Sequence, residues 1–173
     1  MVLSPTFSNQ VRLLVATLPQ IYKEDCFALK GGTAINLFIR DMPRLSVDID
    51  LTYLPIESRE VSLKRIDIAL KRIGNNIEKY IPGTQVTANQ MHKSPFCNRI
   101  QIAGDSALIK IEVTPVLRGC VHSPVIMSLA ASVEDLFGAA TMRVLDFADL
   151  YGGKICAALD RQHPRDLFDI KYL

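Results

Sequence analysis

Two aspartates, Asp48 and Asp50, flank a single isoleucine in a run that reads VDIDL. In a β-strand successive side chains point to opposite faces, so the two carboxylates would share one face and the apolar residues around them the other. Neighbouring carboxylates repel each other unless a cation lies between them, and Mg2+ is usually held by one or two carboxylates together with substrate phosphates. The pair therefore predicts a site for a divalent cation and a phosphorylated substrate.

A glycine-rich turn, Gly31-Gly32-Thr33, lies upstream of the acidic pair and opens a short apolar helix. Glycines let a backbone approach a phosphate closely, and the first turn of a helix offers free N–H groups at the positive end of its dipole. Each motif alone is weak evidence, because Gly-Gly-Thr turns begin many helices and Asp-x-Asp often marks the exposed face of an edge strand. Together they indicate phosphoryl or nucleotidyl transfer.

The order of these motifs resembles a known family pattern. The glycine turn, Asn36 in the helix and the run from Arg44 through Ser46 to the acidic pair resemble the first motif of the polymerase-beta-like nucleotidyltransferase superfamily. That motif is usually Gly-Ser, a spacer and Asp-x-Asp, and Thr33 preserves the hydroxyl of the serine. More narrowly, the pattern is similar to the AbiEii-type toxin nucleotidyltransferases of bacterial toxin–antitoxin and phage-defence systems.

The resemblance implies an α/β (α+β) fold of the polymerase-beta-like type, in which helices flank a mixed sheet. It also implies a role for each residue of the motif. Asp48 and Asp50 would bind the metal and act in catalysis. The nucleotide would be bound by the residues of the turn and of the approach to the acidic strand, which are Gly31, Gly32, Thr33, Arg44 and Ser46.

A third carboxylate is expected on a neighbouring strand. Residues 107–113 alternate so that Lys110 and Glu112 fall on one face and apolar side chains on the other. Members of the superfamily generally carry a third acidic residue on such a strand. The resemblance therefore implies that Glu112 binds the metal or acts as a general base for the attacking hydroxyl. This requires the strand to pair with the one that carries Asp48. The alternative is a solvent-facing glutamate on an edge strand.

The C-terminal residues 147–173 predict two helices that are interrupted near Pro164. The charged residues along these helices are Lys154, Arg161, Arg165, Asp166 and Asp169. Without a family resemblance, they would be interpreted as salt bridges on the helix surfaces. Their order resembles the later motif of the AbiEii-type family. This implies that Lys154 acts in catalysis by neutralising nucleotide phosphates, and that Asp169 orients Lys154, contacts the nucleotide or assists catalysis. Arg161 either binds a phosphate or pairs with Asp166, which is also assigned to the nucleotide site.

The remaining sequence predicts the elements that position these residues. A helix begins at Ser4-Pro5, a buried strand covers residues 27–29 and a helix covers residues 33–39. A long helix or helix pair at residues 57–80 has a basic face, which is either solvated or in contact with an RNA backbone. The other predicted elements are strands at 85–90, 98–103 and 107–113, a loop-rich segment at 116–132, a helix at 134–140 and a short strand or connector at 144–145.

Length and composition set further limits. The chain has 173 residues, of which 49% are hydrophobic, and a net charge of +2. The length and hydrophobic content predict a single globular domain at 1–173, which the resemblance implies is a nucleotidyltransferase domain. The net charge neither requires nor excludes a nucleic-acid partner. Four widely spaced cysteines indicate neither a zinc site nor a disulfide framework. The sequence shows no signal peptide or membrane span, so we expect a cytoplasmic protein with no membrane partner.

The resemblance implies a metal-dependent enzyme that uses Mg2+ (or Mn2+) and a nucleoside triphosphate (NTP). It would transfer NMP to an acceptor such as the 3′ end of a tRNA, and a cognate antitoxin would be its genetic partner. Family members usually continue into a C-terminal helical portion, which we expect to be short or missing here. Three alternatives stay open: transfer to a small molecule such as an antibiotic, transfer to a protein side chain, and an inactive module that binds a nucleotide or a partner protein.

Overall fold

The chain folds into helices and strands in a mixed order, with several strands in succession in its middle part. The computed structural model describes residues 4–91 and 94–171. The helices within these residues are α1 (Pro5–Tyr22), α2 (Gly31–Ala34), a π-helix (Ile35–Ile39), α3 (Arg59–Tyr80), α4 (Ala131–Phe137), α5 (Phe147–Arg161) and α6 (Pro164–Ile170). The strands within the same residues are β1 (Phe27–Lys30), β2 (Asp48–Tyr53), β3 (Gln85–Gln90), β4 (Cys97–Gly104), β5 (Ala107–Arg118), β6 (Val125–Ser128) and β7 (Thr141–Val144).

The seven strands of the described residues form one sheet in the order β3-β4-β5-β2-β1-β7-β6. β2 runs parallel to β5 and β1 runs parallel to β7, whereas the other neighbours are antiparallel. The predicted mixed sheet flanked by helices is therefore confirmed. Because β2 and β5 are distant in sequence yet adjacent in the sheet, residues of separate motifs meet at its centre.

One face of the central strands packs into the hydrophobic core. Ile49 of β2 and Ile111 of β5 are fully buried, and α1 and α3 pack against strands of the sheet. Burial of each isoleucine contributes about 2 kcal/mol to folding. Since side chains alternate along a strand, this burial directs Asp48, Asp50 and Glu112 to the opposite face.

The two longest helices form where the sequence predicts them. Ser4 caps α1 because its hydroxyl accepts a hydrogen bond from the N–H of Phe7, and Pro5 occupies the first helical position. α3 is one continuous helix rather than a pair, and Ser58 caps it. Among the residues that the structure describes, no helix is both long and apolar enough to cross a lipid bilayer.

The helix predicted at residues 33–39 begins earlier and changes type. α2 starts at Gly31, and the π-helix follows it directly. The wider turn of the π-helix is closed by the N–H of Arg40, which donates to the carbonyl of Ile35 at 2.7 Å. The apolar spacing of such a short segment does not distinguish α from π turns, so the sequence did not predict the change.

The prediction of a loop-rich segment at residues 116–132 is wrong in part. β5 continues to Arg118, and β6 and the start of α4 follow within the same segment. β6 lies at the edge of the sheet and leaves Val125 and Ile126 exposed. The sequence of β6 does not alternate between apolar and polar residues, which is the pattern that identifies a half-buried strand. The strand was therefore not recognised from the sequence.

Two boundaries after this segment also differ from the prediction. The helix predicted at 134–140 is α4, which begins at Ala131 and ends at Phe137. Gly138 follows with a φ of 94°, a conformation that favours glycine and stops the helix. The element predicted at 144–145 is β7, which begins three residues earlier. The predicted pair of helices around Pro164 is confirmed as α5 and α6.

Candidate active site

A row of charged side chains crosses four adjacent strands at the centre of the sheet. In register, Lys30 on β1 lies opposite Asp50 on β2, which lies beside Glu112 on β5. Arg99 on β4 lies opposite Glu112. Asp48 comes two residues before Asp50 and therefore shares its face. The predicted pairing of β2 with β5 is confirmed, and the three carboxylates lie on one face of the sheet.

Glu112 and Asp48 each have a basic side chain as a neighbour. Arg99 donates two hydrogen bonds to Glu112, from Nε at 3.0 Å and from Nη2 at 3.1 Å. Lys110 Nζ lies 3.9 Å from Asp48. The side chains of both pairs are partly exposed, so water screens the attraction and each pair contributes about 1 kcal/mol or less. Neither pair is strong enough to keep the carboxylates from a divalent cation.

Asp50 is partly buried among charged groups of both signs. Burial raises the pKa of its carboxyl group, the Lys30 ammonium opposes the rise, and Asp48 and Glu112 add to it. Burial also lowers the pKa of Lys30, against the attraction of Asp50 and Glu112. A cation bound beside Asp50 would favour its charged form.

The chemistry of the three carboxylates fits a hard divalent cation. Mg2+ and Ca2+ prefer oxygen ligands, and Asp48, Asp50 and Glu112 offer only carboxylate oxygens. Their common face and the raised pKa of Asp50 agree with such a site. Their assignment as metal ligands stays a prediction.

A second acidic group lies in the loop after β5 and at the start of α5. Among the described residues it is this group, His122, Asp146 and Asp149, whose ligand atoms lie within 4.8 Å of one another. Its carboxylates already accept backbone hydrogen bonds. Asp146 caps α5 through the N–H of Ala148 at 2.9 Å, and Asp149 accepts from the N–H groups of Val121 and His122 at 3.0 and 2.8 Å. These bonds fasten the loop to the helix and account for the proximity of the three residues.

The two glycines of the turn let other side chains pack closely against it. Gly31 has a φ of 75°, and a Cβ built on it would lie 2.9 Å from Asp50 Oδ2. A Cβ on Gly32 would collide with the guanidinium of Arg44 and would lie 2.9 Å from the hydroxyl of Ser46. The glycines therefore bring the start of α2 against β2 and against the segment that precedes it.

Substituting alanine for Gly31 should destabilise the fold and disturb Asp50. The φ of 75° is unfavourable for a residue with a side chain, and the new Cβ would press on the carboxylate. We expect the free energy of unfolding in urea to fall by about 1–2 kcal/mol. Gly152→Ala in α5 is the matched control, because its Cβ meets nothing within 4 Å. The control should be neutral or stabilising by up to about 1 kcal/mol. Equal stability of the Gly31 variant and wild type would contradict this explanation.

The Thr33 hydroxyl bonds to protein atoms. It donates to the backbone carbonyl of Asp48, and it lies 3.0 Å from the hydroxyl of Ser46. The Thr33 residue is only 1% exposed. The hydroxyl thus fixes the start of β2 against α2, and a phosphate at this turn would meet backbone N–H groups rather than the threonine side chain.

A cavity of about 600 Å³ opens beside the row of charges. Its lining includes Lys30, Gly31 and Asp50 from the first motif and Lys154 and Arg161 from α5. Residues of the two widely separated motifs therefore meet at one cavity. Other predicted site residues lie around this cavity without lining it, namely Gly32, Thr33, Arg44, Ser46, Asp48, Glu112, Asp166 and Asp169.

The C-terminal motif forms a buried network of ion pairs. Lys154 Nζ lies 3.0 Å from Asp166 Oδ1 and 3.0 Å from Asp169 Oδ2. Arg161 donates to both oxygens of Asp166, at 2.6 and 3.0 Å. All of Lys154, Asp166 and Asp169 are buried. Arg161 pairs with Asp166 in this structure, and Asp169 contacts Lys154. The roles of these residues at a nucleotide site stay predictions.

The same network reaches the first motif through Arg44. Its Nε donates to Asp169 Oδ1 at 2.6 Å, and its Nη2 bonds to the other oxygen. Asn36 Nδ2 lies 3.4 Å from Asp169 as well. Burial alone would raise the pKa of Asp169, but hydrogen bonds from Arg44 and Lys154 outweigh it and leave that pKa below its ordinary value. Asp169 thus ties α6 to the glycine turn and to α5.

The sequence as a whole matches a family model. The model describes a nucleotidyl transferase AbiEii toxin of a type IV toxin–antitoxin system, and the match covers residues 12–173. The chain belongs to this AbiEii family. The family resemblance inferred from the glycine turn, the acidic pair and the C-terminal motif is therefore confirmed.

A solved structure has the same fold as this AbiEii-family chain. It is MenT4, a nucleotidyltransferase toxin from Mycobacterium tuberculosis H37Rv, with a TM-score of 0.66 and 15% sequence identity. The match covers 95% of this chain and 56% of MenT4, so the chain spans little more than half the length of that protein. A comparison with curated protein sequences gave no match.

Three polar residues beside the carboxylates of the candidate site, Lys30, Arg99 and Thr114, were not predicted from the sequence. Lys30 and Thr114 lie with Asp50 in the lining of the cavity, and Arg99 holds Glu112. The alternation of β5 put Thr114 on the face of Glu112, so this residue had a detectable signal. Lys30 and Arg99 become neighbours of the carboxylates only through the pairing of β1 with β2 and of β4 with β5.

Acid should destabilise this AbiEii-family chain through Asp166. The hydrogen bond from Arg161 is the main cause that holds the pKa of Asp166 at about 2, against an ordinary value of 3.8. A carboxyl group with a lowered pKa stabilises the fold above its unfolded-state pKa, and that stability disappears as the pH falls through the folded-state pKa. The shift corresponds to about 2 kcal/mol, which should be lost between about pH 4 and pH 2.

Urea unfolding between pH 5 and pH 2 would measure this loss. Asp166→Asn should be less stable at pH 5 but should show a flatter pH dependence below pH 4, because the titrating group is gone. Asp160→Asn, at an exposed position of the same helix pair, should follow the wild-type curve. Parallel curves for Asp166→Asn and wild type would show that Asp166 does not carry the pH dependence.

Proposed function

We propose that this chain is a metal-dependent nucleotidyltransferase that acts in the cytoplasm as the toxin of a toxin–antitoxin system. It transfers NMP from an NTP to an RNA acceptor, such as the 3′ end of a tRNA, and releases pyrophosphate. The observation that supports this most directly is the meeting of Gly31, Asp50 and Lys154 at one cavity in a chain of the AbiEii family.

The cavity suits a nucleotide in size and in lining. Its volume of about 600 Å³ lies within the range of about 300–1,000 Å³ of small-molecule sites. Charged residues of its lining can receive a triphosphate. Apolar residues of the same lining, Ile56, Leu117 and Val121, offer a surface on which a nucleobase can pack.

The carboxylates of the sheet are the residues that would hold Mg2+ (or Mn2+), namely Asp48, Asp50 and Glu112. A divalent ion bound there would act as a Lewis acid on phosphate oxygens. The acceptor hydroxyl attacks the α-phosphorus of the NTP, and the bond from that phosphorus to pyrophosphate breaks. Glu112, whose side chain is partly exposed, would receive the proton of the acceptor hydroxyl.

The remaining predicted residues would either bind the nucleotide directly or fix the position of the residues that bind it. Backbone N–H groups of Gly31, Gly32 and Thr33 would bind phosphate oxygens. Lys154 would supply positive charge from the opposite wall of the cavity. Asp166 and Asp169, with their partners Arg161 and Arg44, would keep Lys154 in position. Ser46, which contacts the Thr33 hydroxyl, would help to hold the turn.

The test is a transfer assay with labelled NTPs. The purified protein is incubated with Mg2+, total tRNA and each α-labelled NTP in turn, beside an Asp48→Ala, Asp50→Ala variant. We expect one NTP to label tRNA, and we expect no labelling by the double variant or in the presence of EDTA. Asp105→Asn, in the exposed turn between β4 and β5, should label tRNA as the wild type does.

The same assay separates the alternative acceptors. Label in a protein band or on an added antibiotic, with none on tRNA, would replace RNA by that acceptor in the proposal. Nucleotide binding without transfer to any acceptor would indicate a binding module and would contradict the proposed enzyme. A cognate antitoxin is the expected genetic partner, because the family model describes the toxin of a toxin–antitoxin system.

A further inference from the structure

Lys30 crosses the centre of the candidate active site. It is the last residue of β1 and directly precedes Gly31. Its Nζ donates a hydrogen bond to Thr114 Oγ1 on β5 at 2.6 Å. Because β2 lies between β1 and β5 in the sheet, the side chain must pass over β2 beside Asp50. Both Lys30 and Thr114 belong to the lining of the cavity.

Among the residues that the structure describes, three other basic residues line the cavity, Arg118, Lys154 and Arg161. Arg118 donates to the backbone carbonyl of Glu57 and to the Ser62 hydroxyl, away from the carboxylates of the sheet. The other two are paired with carboxylates. Lys154 contacts Asp166 and Asp169, each at 3.0 Å, and only 8% of its side chain is exposed. Arg161 forms two hydrogen bonds with Asp166. The Lys30 ammonium, in contrast, bonds to a neutral hydroxyl and forms no ion pair with a carboxylate of the residues that the structure describes.

An ammonium group has three N–H donors, and one bond to a hydroxyl leaves two of them for a ligand. A nucleotide phosphate supplies anionic oxygens that accept such bonds, and charge-assisted hydrogen bonds are the strongest of their kind. Thr114 holds the lysine on the cavity side of the sheet without neutralising it. The cavity therefore contains a fixed ammonium group that forms no direct ion pair within residues 4–91 and 94–171.

We infer that Lys30 binds a phosphate oxygen of the nucleotide and that Thr114 is its positioning residue. This inference rests on the proposed function and deepens it, since it adds a phosphate contact at Lys30 to the positive charge that Lys154 supplies to the same cavity.

The opposing explanation is that Lys30 only balances the charge of Asp50 and Glu112. The two explanations predict different effects of Lys30→Met. Loss of a phosphate contact weakens nucleotide binding. Loss of a counter-ion leaves the carboxylates more negative, so it strengthens binding of a divalent metal alone and changes nucleotide binding little.

Calorimetry without any acceptor distinguishes them. The probes are Mn2+ alone and each of the four NTPs with Mg2+, and the proteins are wild type, Lys30→Met, Lys30→Arg and Lys64→Met. We expect Kd for the bound NTP to rise about tenfold to a hundredfold in Lys30→Met and to recover in large part in Lys30→Arg. The Lys64 control, on the exposed side of α3, should match wild type.

The role of Thr114 needs its own pair of variants. Thr114→Val removes the hydroxyl that holds Lys30 and should raise Kd for the NTP several-fold, whereas Thr114→Ser keeps the hydroxyl and should restore wild-type affinity. If the Thr114 side chain only filled space, valine would preserve the affinity for the NTP and serine would not restore it.

An unchanged NTP affinity of Lys30→Met, with tighter Mn2+ binding, would overturn the inference while leaving the proposed function intact. A wild type that binds an NTP but labels no acceptor would contradict the proposed function, and a weakened Lys30→Met would still support the phosphate contact. A wild type that binds no NTP would overturn both.

Discussion

Asp50→Asn should abolish nucleotide transfer without unfolding the protein. The asparagine keeps the size of the side chain but removes a negative charge between Lys30 and Glu112. Asp50 would act through the metal ion, whose positive charge stabilises the reacting phosphate. Loss of one such electrostatic contribution lowers kcat by roughly a hundredfold to a thousandfold in enzymes of known mechanism. We expect a decrease of at least that size in the labelling assay, in a protein that is still folded.

Stability should change in the opposite direction to activity. Burial and the neighbouring carboxylates raise the pKa of Asp50, so its charged form is less favourable in the folded protein than in the unfolded one. Removing that charge should increase the free energy of unfolding at pH 7 in the presence of EDTA. Urea unfolding measures this change directly. Asp105→Asn removes a negative charge at an exposed position. This control measures the effect of the lower net charge without a change at the candidate site.

Metal binding provides a third measurement on the same variant. Mg2+ or Mn2+ should raise the melting temperature of wild type, because a ligand that binds only the folded state stabilises it by mass action. The increase should be much smaller for Asp50→Asn. Wild-type activity in the variant, or an equal metal-dependent increase in both proteins, would rule out Asp50 as a metal ligand.

The face that carries the carboxylates was predictable from local sequence. Alternation in β2 and β5 separates Ile49 and Ile111 from the acidic residues, and burial of the isoleucines enforces the same separation in the fold. The strand order was not predictable in this way. It depends on pairings between segments some 60 residues apart along the chain, such as Asp50 with Glu112, which local patterns do not encode.

The functions of individual polar groups were harder to predict than their proximity. The glycine turn was expected to bind phosphate, and the structure adds that Gly31 makes room for Asp50 and that Thr33 bonds to the start of β2. These contacts depend on how the irregular segment before β2 packs against the start of α2. Hydrophobic periodicity in the sequence gives no information about such packing. The C-terminal motif was better specified, because residues three and four apart on a helix share a face.

The largest stability effect is expected from Lys154→Met. Lys154 is 8% exposed and contacts Asp166 and Asp169, whose side chains are 3% and 1% exposed. Removing one member of a buried ion pair leaves its partners charged and incompletely paired, which typically costs about 3–5 kcal/mol. We expect a loss of that size in the free energy of unfolding. Lys64→Met, at an exposed position, should leave stability unchanged.

The two carboxylates should respond unequally to the loss of Lys154. Asp166 retains Arg161 and Asp169 retains Arg44, but the Arg161 side chain is 64% exposed and that of Arg44 only 15%. Arg161 nevertheless is the main cause that holds the pKa of Asp166 at about 2, whereas the largest effect on the pKa of Asp169 is burial, which opposes its charge. Asp169 should therefore account for more of the destabilisation, and adding Asp169→Asn to Lys154→Met should restore more stability than adding Asp166→Asn does. Equal recovery in the two double variants would show that Lys154 stabilises both carboxylates alike, and an undiminished stability of Lys154→Met would show that the buried network holds without it.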